Sequence, residues 1–455
     1  MARYDYEGLL GDAAARATRY LADLDARSVA ADPDAVTRLS DALEVGLPDG
    51  PTDPADVLDF LDRTASPATV GCAGGRYFGF VTGGALPATL ASNWLAGAWD
   101  QNCFSSVTSP AIALIEEAAL RWTFEALGLP ATSGGALVTG ATMANFACLA
   151  AARHRVLANA GWDVEADGLF GAPDITVVVG AEAHTSIFKV LGHLGFGRTR
   201  VITVPVDDQG RMRADALPQM PDGPAIVCVQ AGNINSGAFD PASEIIAWAH
   251  AANAWVHVDG AIGLWALATP SLAHLAAGYE AADSWATDAH KWLNVPYDNG
   301  IAIVRDREAL YHAMSLSAAY ITTGERREPI NYTPDNSRRA RAVDIWAAFK
   351  TLGRSGLAEM VERNCAQARR FGEGLRAAGA EVLNDVVLNQ VVVAFGDDER
   401  TERVIAAIQN SGVCWCSATH WKGRHAMRIS VSSWATSNED VEVSLTAMIA
   451  ALASS

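Results

Sequence analysis

The stretch Trp255-Val-His-Val-Asp-Gly-Ala261 decides how the central part of this sequence is expected to fold. Its apolar, β-branched beginning is typical of a strand that is buried on both faces of a parallel sheet. The run ends in a carboxylate, Asp259, which two small residues follow. Because ligands of open α/β sheets bind at the carboxyl ends of strands, Asp259 is a candidate site residue. An aspartate that caps a helix or a turn is an equally good interpretation of this motif alone.

Six further apolar runs surround this stretch and have the same character. They lie at 136–139, 175–179, 200–204, 225–229, 284–287 and 301–304. Helical patterns between them, such as 144–157 and 241–253, indicate βαβ units. The sequence therefore predicts an α/β fold with a mostly parallel, seven-stranded sheet in a large domain at 71–345. A helical N-terminal segment at 1–70 precedes this domain.

The C-terminal part has a different pattern and predicts a smaller α+β domain at 346–455. Residues 306–340 are polar and irregular, which favours a long functional loop. One helix is predicted to begin near Ser337 and to continue through Leu352, and a second to end at Ala378. The remaining predicted elements alternate between strands and helices, at 386–393, 400–409, 427–431 and 438–452.

The composition excludes several classes of protein. The 455 residues are half hydrophobic and carry a formal net charge of −18, which argues against binding to nucleic acid or to anionic lipid. The chain has no 18-residue apolar run and no apolar segment near its start, so neither a membrane span nor a signal peptide is expected. Seven cysteines favour reduced thiols in the cytoplasm. Cys414 and Cys416 are too close for a zinc-binding pair, so no metal site is predicted.

Two further motifs carry groups that can do chemistry. Asp288-Ala-His-Lys-Trp-Leu293 places a lysine directly after a predicted strand. Desolvation lowers the pKa of a lysine, and a neutral amine can form a Schiff base, although most lysines are simply solvated. Val138-Thr-Gly-Ala-Thr-Met-Ala-Asn145 predicts a strand, a turn of small residues and a helix. The N–H groups of such a helix start, with the Thr142 hydroxyl, can bind a phosphate, but a plain tight turn has the same pattern.

Along the chain, the phosphate-binding turn comes first, Asp259 second and Lys291 third, 32 residues after Asp259. In this order, the three motifs resemble those of fold type I enzymes that use pyridoxal 5′-phosphate (PLP). From about Tyr77 to Leu452, the chain resembles the group II PLP-dependent amino acid decarboxylases, such as the aromatic-L-amino-acid, tyrosine and glutamate decarboxylases. Further motifs that carry the resemblance are Tyr77-Phe-Gly-Phe80, Ser109-Pro110 and Ser337-Arg-Arg339. The resemblance implies that an L-amino acid is decarboxylated to an amine and CO₂. It also implies a homodimer with its active site at the subunit boundary.

The resemblance implies roles for individual residues. Lys291 would carry PLP as a Schiff base, and Asp259 would pair with the ring nitrogen. The other implied cofactor contacts are Ala261 beneath the ring, His184 stacked on it, Asn233 near its hydroxyl, and Ala141, Thr142 and His290 at the phosphate. Asp288 departs from the asparagine often found at its position. Because a second anion beside a phosphate is repulsive, the Asp288 side chain is expected to point elsewhere.

For the substrate, the resemblance implies an aromatic wall and a general acid. The wall would consist of Tyr77, Phe80 and Phe104. It favours an aromatic or apolar amino acid, although core packing is the alternative for each ring. Arg428 could bind a carboxylate or form a structural ion pair. The general acid that protonates Cα would be a loop tyrosine, Tyr332, with Tyr320 as its rival.

The sequence leaves other functions open. The same fold could support an aminotransferase, or decarboxylation coupled to oxidative deamination that gives an aldehyde. A protein that has lost catalysis and serves as a binding or scaffold partner is disfavoured by the intact Lys291, Asp259 and His184. A nicotinamide-dependent dehydrogenase is disfavoured because the turn at 138–145 lacks the Gly-x-Gly-x-x-Gly pattern.

Overall fold

Helices and strands alternate through the middle of the chain. The structure, a computed structural model, describes residues 5–316 and 326–455. Its α-helices are α1 Tyr6–Ala22, α2 Pro33–Leu43, α3 Pro54–Phe60, α4 Pro87–Trp99, α5 Pro110–Ala126, α6 Ala141–Asn159, α7 Val164–Asp167, α8 Thr185–His193, α9 Ala242–Ala251, α10 Arg307–Met314, α11 Arg341–Ala377, α12 Asp398–Ser411 and α13 Asn438–Ser454. Its strands are β1 Gly134–Val138, β2 Thr176–Gly180, β3 Ile202–Val204, β4 Ala225–Gln230, β5 Trp255–Asp259, β6 Ser284–Asp288, β7 Gly300–Val304, β8 Glu381–Val382, β9 Gln390–Ala394, β10 Ser417–Trp421 and β11 Arg424–Ser430.

Seven strands form one sheet in the order β1-β7-β6-β5-β4-β2-β3. The pairs from β3 to β6 are parallel, whereas β7 is antiparallel to both of its neighbours. Every residue of β1, β4, β5, β6 and β7 is buried. All seven apolar runs are therefore strands, which confirms the predicted α/β fold with a mostly parallel sheet.

Helix α6 packs on this sheet through small side chains. Ala144, Ala147, Cys148 and Ala151 are fully buried and belong to the same hydrophobic cluster as the side chains of β1, β2 and β4. Small residues let a helix lie close to the strands beneath it, so that the packing leaves few voids. This packing fixes the start of α6 at the carboxyl end of β1.

The chain divides into two compact units. Unit 2 consists of residues 83–369 and 384–390 and contains the seven-stranded sheet. Unit 1 combines the described residues up to Thr82 with 370–383 and 391–455. It holds the N-terminal helices α1 to α3 and most of a four-stranded sheet in the order β10-β11-β9-β8. The helical N-terminal segment thus groups with the C-terminal elements.

One predicted strand of the C-terminal part begins later in the structure than expected. The strand predicted at 386–393 is β9, which begins only at Gln390. The preceding loop is held by Asn384, whose Nδ2 donates to the carbonyl oxygens of Ser236 and Gln390, both at 3.0 Å. The two helices predicted around residue 353 are confirmed, because α11 consists of two helical segments that meet at a kink at Gly353, whose φ and ψ are not helical. Among the described residues, no helix is both long and apolar enough to span a bilayer.

Candidate active site

Six strands of unit 2 end at one edge of the sheet. The strands from β1 to β6 run in the same direction, because β7, which lies between β6 and β1, is antiparallel to both. The candidate cofactor-binding residues follow these ends. They are Ala141 and Thr142 after β1, His184 after β2, Asn233 after β4, Asp259 and Ala261 at the end of β5, and His290 and Lys291 after β6. The topology thus collects all of them at the edge where α/β proteins bind ligands.

Lys291 lies in the turn that follows β6, with 18% of its side chain exposed. Its Nζ is 3.1 Å from Oδ2 of Asp288. The segment at Gly83 approaches so closely that a Cβ there would lie 1.9 Å from the Lys291 carbonyl oxygen. Asn294 holds the same turn, since its Oδ1 accepts a hydrogen bond of 2.8 Å from the N–H of Gly84. The amine is therefore mostly enclosed and sits on a fixed backbone.

Asp259 is buried at the end of β5 and is oriented by a chain of hydrogen bonds. Oδ2 of Asp259 accepts from Nδ2 of Asn145 at 3.4 Å. The chain continues at 2.9 Å in each step, from Asn145 Oδ1 to His257 Nε2, from His257 Nδ1 to Ser284 Oγ, and from Ser284 Oγ to Trp255 Nε1. All five residues are buried.

The chemistry of the two ends fixes the direction of this chain. The indole of Trp255 can only donate and an ionised carboxylate can only accept, so every intervening hydrogen points towards Asp259. His257 then carries its proton on Nε2 and accepts from the Ser284 hydroxyl at Nδ1. This requires a neutral imidazole, and burial lowers the pKa of His257 to about 3. The hydrogen-bond chain therefore orients Asp259 through neutral groups.

Asp288 points into the start of α6, contrary to the sequence expectation. Its Oδ1 accepts a hydrogen bond of 2.6 Å from the Ala141 N–H. The register explains this contact, because Val138 and Asp288 both pair with Gly300 on β7, which brings the turn after β1 beside the end of β6. Gly300 has to be glycine, since a Cβ there would lie 2.4 Å from the Cα of Gly140. The expected repulsion concerned a bound phosphate, whereas here a helix N-terminus attracts the carboxylate.

His290 lies beside Asp288 and the start of α6. Its Nδ1 accepts a hydrogen bond of 3.0 Å from the Asn299 N–H, so the neutral ring carries its proton on Nε2. That Nε2 lies 3.5 Å from Oδ1 of Asp288. Burial lowers the pKa of His290, which outweighs the opposite effect of Asp288. His290 can therefore donate one hydrogen bond to an anion at the start of α6, where Thr142 is the second helical residue.

His184 and Asn233 both follow strand ends at this edge of the sheet, but their side chains make different contacts. His184 caps α8, with Nδ1 accepting from the Ser186 N–H at 3.3 Å, and it lines the same small cavity as Asp259. The Asn233 side chain shapes its own loop: Oδ1 accepts from the N–H groups of Asn235 and Ser236. Its Nδ2 donates to Glu182 at 3.1 Å. The backbone N–H of Ala261 donates to Asp259 Oδ1 at 3.3 Å.

The predicted substrate residues divide between the two units. In unit 1, the ring of Trp415 is stacked with Tyr77 at 5.2 Å and with Phe80 at 5.6 Å between centroids. Phe80 is 63% exposed. Arg428, also in unit 1, is buried on β11, and burial lowers the pKa of its guanidinium to about 10. Phe104 belongs to unit 2, where its carbonyl oxygen accepts from the Ile330 N–H at 2.9 Å.

The tyrosine predicted as general acid lies in the core of unit 2. Tyr332 is 7% exposed and ends a short 3₁₀ helix. Its ring lies 5.9 Å from that of Tyr311, and the Arg327 guanidinium lies 4.4 Å above it. Tyr320 lies outside the described residues. The role of Tyr332 stays a prediction.

Three residues of this arrangement escaped sequence reasoning. Asn145 is a buried amide inside an otherwise alanine-rich helix, and this isolated polar residue was the signal available. Ser284 gives no such signal, because only the pairing of β5 with β6 brings it to His257. Trp415, between Cys414 and Cys416, gives no signal either, because its stacking with Tyr77 joins distant parts of the sequence.

The residues at the edge fit PLP by their chemistry. Asp259 receives hydrogen bonds of 3.3 and 3.4 Å from neutral groups, so a protonated ring nitrogen would be a suitable partner for its carboxyl group. The helix start offers N–H groups to a phosphate. Lys291 supplies a mostly enclosed amine. No group of three or more metal-ligating side chains occurs within 5–316 and 326–455.

Comparisons with known proteins show which family this chain belongs to. The family model described as the pyridoxal-dependent decarboxylase conserved domain matches residues 42–395. The aromatic-L-amino-acid decarboxylase of Bacillus atrophaeus is 25% identical over 428 residues, 89% of this chain and 87% of that protein. The L-2,4-diaminobutyrate decarboxylase of Rhizobium meliloti is 32% identical over 361 residues, 75% of this chain and 70% of that protein.

A solved structure shares the fold over the full length. The crystal structure of Oryza sativa TDC with PLP and tryptamine has a TM-score of 0.91 at 22% identity, and the likeness covers 99% of this chain and 98% of that chain. Together with the family match over 42–395, this confirms the resemblance and the fold type that the motifs implied. The chain belongs to the pyridoxal-dependent decarboxylase family and is a PLP-dependent amino acid decarboxylase, a carboxy-lyase.

Proposed function

We propose that this decarboxylase converts an aromatic or apolar L-amino acid to its amine and CO₂. The exposed ring of Phe80, in a stack with Trp415 and Tyr77, supports this substrate class because such a surface suits an apolar side chain. The test is a CO₂-release screen over the twenty amino acids and their common hydroxylated relatives. Release from acidic or diamino substrates alone would contradict the proposal, and an aldehyde product would indicate coupled oxidative deamination.

Each residue at the sheet edge has a proposed task. PLP supplies an electron-withdrawing ring that takes up the electron pair left when the Cα–CO₂⁻ bond breaks. Lys291 holds the cofactor covalently, Asp259 keeps a proton on the ring nitrogen, and His184 covers the ring face. The Ala141 N–H, the Thr142 hydroxyl and Nε2 of His290 hold the phosphate.

The proposed roles in PLP binding are supported by the position of Lys291, Asp259 and the start of α6 at one edge of the sheet. We expect the enzyme to absorb visible light, and Lys291→Ala to lose both the visible band and CO₂ release, since a nucleophilic amine is removed. Lys189→Ala, at an exposed lysine of α8, is the matched control and should keep both. A Lys291→Ala protein with the wild-type spectrum would refute the role of this lysine.

Departure of CO₂ leaves Cα in need of a proton, for which Tyr332 is the proposed donor. Its place within a 3₁₀ helix just before the Ser337-Arg-Arg339 motif supports a role near the chemistry, although its ring packs in the core. Tyr332→Phe should slow amine formation and raise the share of aldehyde, because Cα is protonated more slowly. Amine formation at the wild-type rate would favour Tyr320.

We also propose that the enzyme is a cytoplasmic homodimer. The N-terminal segment of unit 1 exposes large apolar side chains, among them Tyr6, Leu10, Leu43, Leu47 and Leu61, which a second copy could cover. All seven cysteines are thiols, which suits a reducing compartment. Sedimentation should give twice the chain mass of 48.0 kDa. A species of the single-chain mass at micromolar concentration would contradict the dimer.

A further inference from the structure

One carboxylate in this protein contacts three groups that the cofactor needs. Asp288 accepts the Ala141 N–H at 2.6 Å through Oδ1. The same oxygen lies 3.5 Å from Nε2 of His290, and Oδ2 lies 3.1 Å from Nζ of Lys291. Only 4% of the Asp288 side chain is exposed, so water screens these contacts weakly. The contacts thus join two phosphate-binding groups and the reactive amine to a single buried anion.

The contact with Ala141 resembles what a phosphate would make. Helix α6 has 19 residues, and its N-cap, Gly140, has no side chain with which to satisfy the first N–H groups. A helix start without a local cap attracts a negative charge from elsewhere. Asp288 provides that charge from a strand 147 positions further along the sequence. A phosphate seeks the same donors for the same reason.

The contact with Lys291 engages the amine that the proposed function assigns to the cofactor. Oδ2 of Asp288 lies 3.1 Å from Nζ of Lys291, so this carboxylate pairs with the lysine as well as with the helix start. We infer that Asp288 is an internal competitor of the cofactor phosphate, because its carboxylate occupies the Ala141 N–H and pairs with Lys291. The negative charge of this carboxylate would then repel the phosphate of PLP and weaken its binding. The inference rests on the proposed phosphate contacts.

The test compares two ligands that differ only in the phosphate. Cofactor-free wild type, Asp288→Asn and Asp174→Asn are titrated with PLP and with pyridoxal, and binding is followed by tryptophan fluorescence and visible absorbance. Asparagine keeps an oxygen for the Ala141 N–H but removes the charge. Asp174 is 88% exposed, so its variant is matched in charge but remote from buried groups.

We expect Asp288→Asn to bind PLP more tightly by roughly tenfold or more, since one anion beside the phosphate is removed. Its affinity for pyridoxal should rise much less, so that the preference for PLP over pyridoxal grows. Inorganic phosphate should also displace PLP from Asp288→Asn at lower concentrations than from the wild type. Asp174→Asn should match the wild type in all three measurements.

Several outcomes would overturn the inference. Unchanged or weaker PLP binding by Asp288→Asn contradicts it, and so does an equal gain for PLP and pyridoxal, which would place the whole effect at Lys291. Asp288→Ser provides a second neutral variant, and failure of both variants to fold would show that the carboxylate is structural. The wild type and Asp174→Asn still bind PLP and release CO₂ in every one of these cases, so the proposed function is tested separately.

Discussion

At the scale of single residues, Asn145 connects Asp259 to His257 in the buried hydrogen-bond chain. Asn145→Ala removes the acceptor of the His257 Nε2–H, 2.9 Å away, and leaves this buried donor without a partner. We expect a loss of about 1–3 kcal/mol in the free energy of unfolding, the usual effect of such a change. It should also weaken PLP binding, because Asp259 loses a contact that orients it.

The matched control is Asn159→Ala, at the exposed end of the same helix. Urea unfolding of the cofactor-free proteins, followed by circular dichroism, gives the free energies. Equal losses for the two variants would show that the chain from Trp255 to Asp259 does not contribute to stability.

The sequence located residues that lie at the end of a strand, but it missed contacts that depend on the pairing between strands. Lys291 and Asp259 follow apolar runs that predicted strands correctly, so their common edge could be inferred. The direction of the Asp288 side chain depends on the register of β1 and β6 against β7, which no local pattern contains. Ser284 meets His257 for a similar reason, through the pairing of β5 with β6.

At the scale of elements, the break within α11 depends on one glycine. Gly353 has φ 59° and ψ −173°, a conformation open almost only to glycine. A Cβ at this position would meet nothing within 4 Å, so any penalty for alanine comes from the backbone alone. Gly353→Ala should therefore lower the free energy of unfolding by about 1–3 kcal/mol.

Gly356, three residues further on, gives the opposite expectation. It is helical, and a Cβ there would lie 3.5 Å from that of Leu352, an ordinary contact. Gly356→Ala should therefore stabilise the protein by up to about 1 kcal/mol, the difference in helix propensity. Thermal unfolding of both variants is the measurement, and effects of the same sign would contradict this account of α11.

At the scale of the whole molecule, the strands of the seven-stranded sheet could be predicted but their order could not. Buried apolar runs reveal a strand wherever both of its faces are covered, as for β4 and β5. The antiparallel strand β7 lies between β1 and β6, and no local sequence pattern predicts this position because it depends on tertiary contacts. The grouping of the N-terminal helices with the C-terminal sheet likewise depends on contacts between distant parts of the sequence.

The dependence of stability on pH involves two buried groups that oppose each other. Burial lowers the pKa of His257 from 6.5 to about 3, and it raises the pKa of Asp240 from 3.8 to about 6, although Asp240 accepts hydrogen bonds from the Met212 and Gln230 N–H groups. Near pH 5 the folded protein holds a neutral His257 and a protonated Asp240. Unfolding lets His257 take up one proton while Asp240 releases one, so the two contributions cancel between about pH 4 and pH 6.

Replacing either group should reveal the pH dependence of stability that the other group causes. In His257→Gln only the release from Asp240 remains, so stability relative to the wild type should fall as pH rises, by about 1.4 kcal/mol per pH unit. In Asp240→Asn only the uptake by His257 remains, and stability relative to the wild type should rise with pH by a similar amount. Urea unfolding of the three cofactor-free proteins at pH 4, 5 and 6 measures these slopes. Parallel curves would show that neither group changes its protonation on unfolding, and hence that the hydrogen-bond chain behind Asp259 does not depend on a neutral His257.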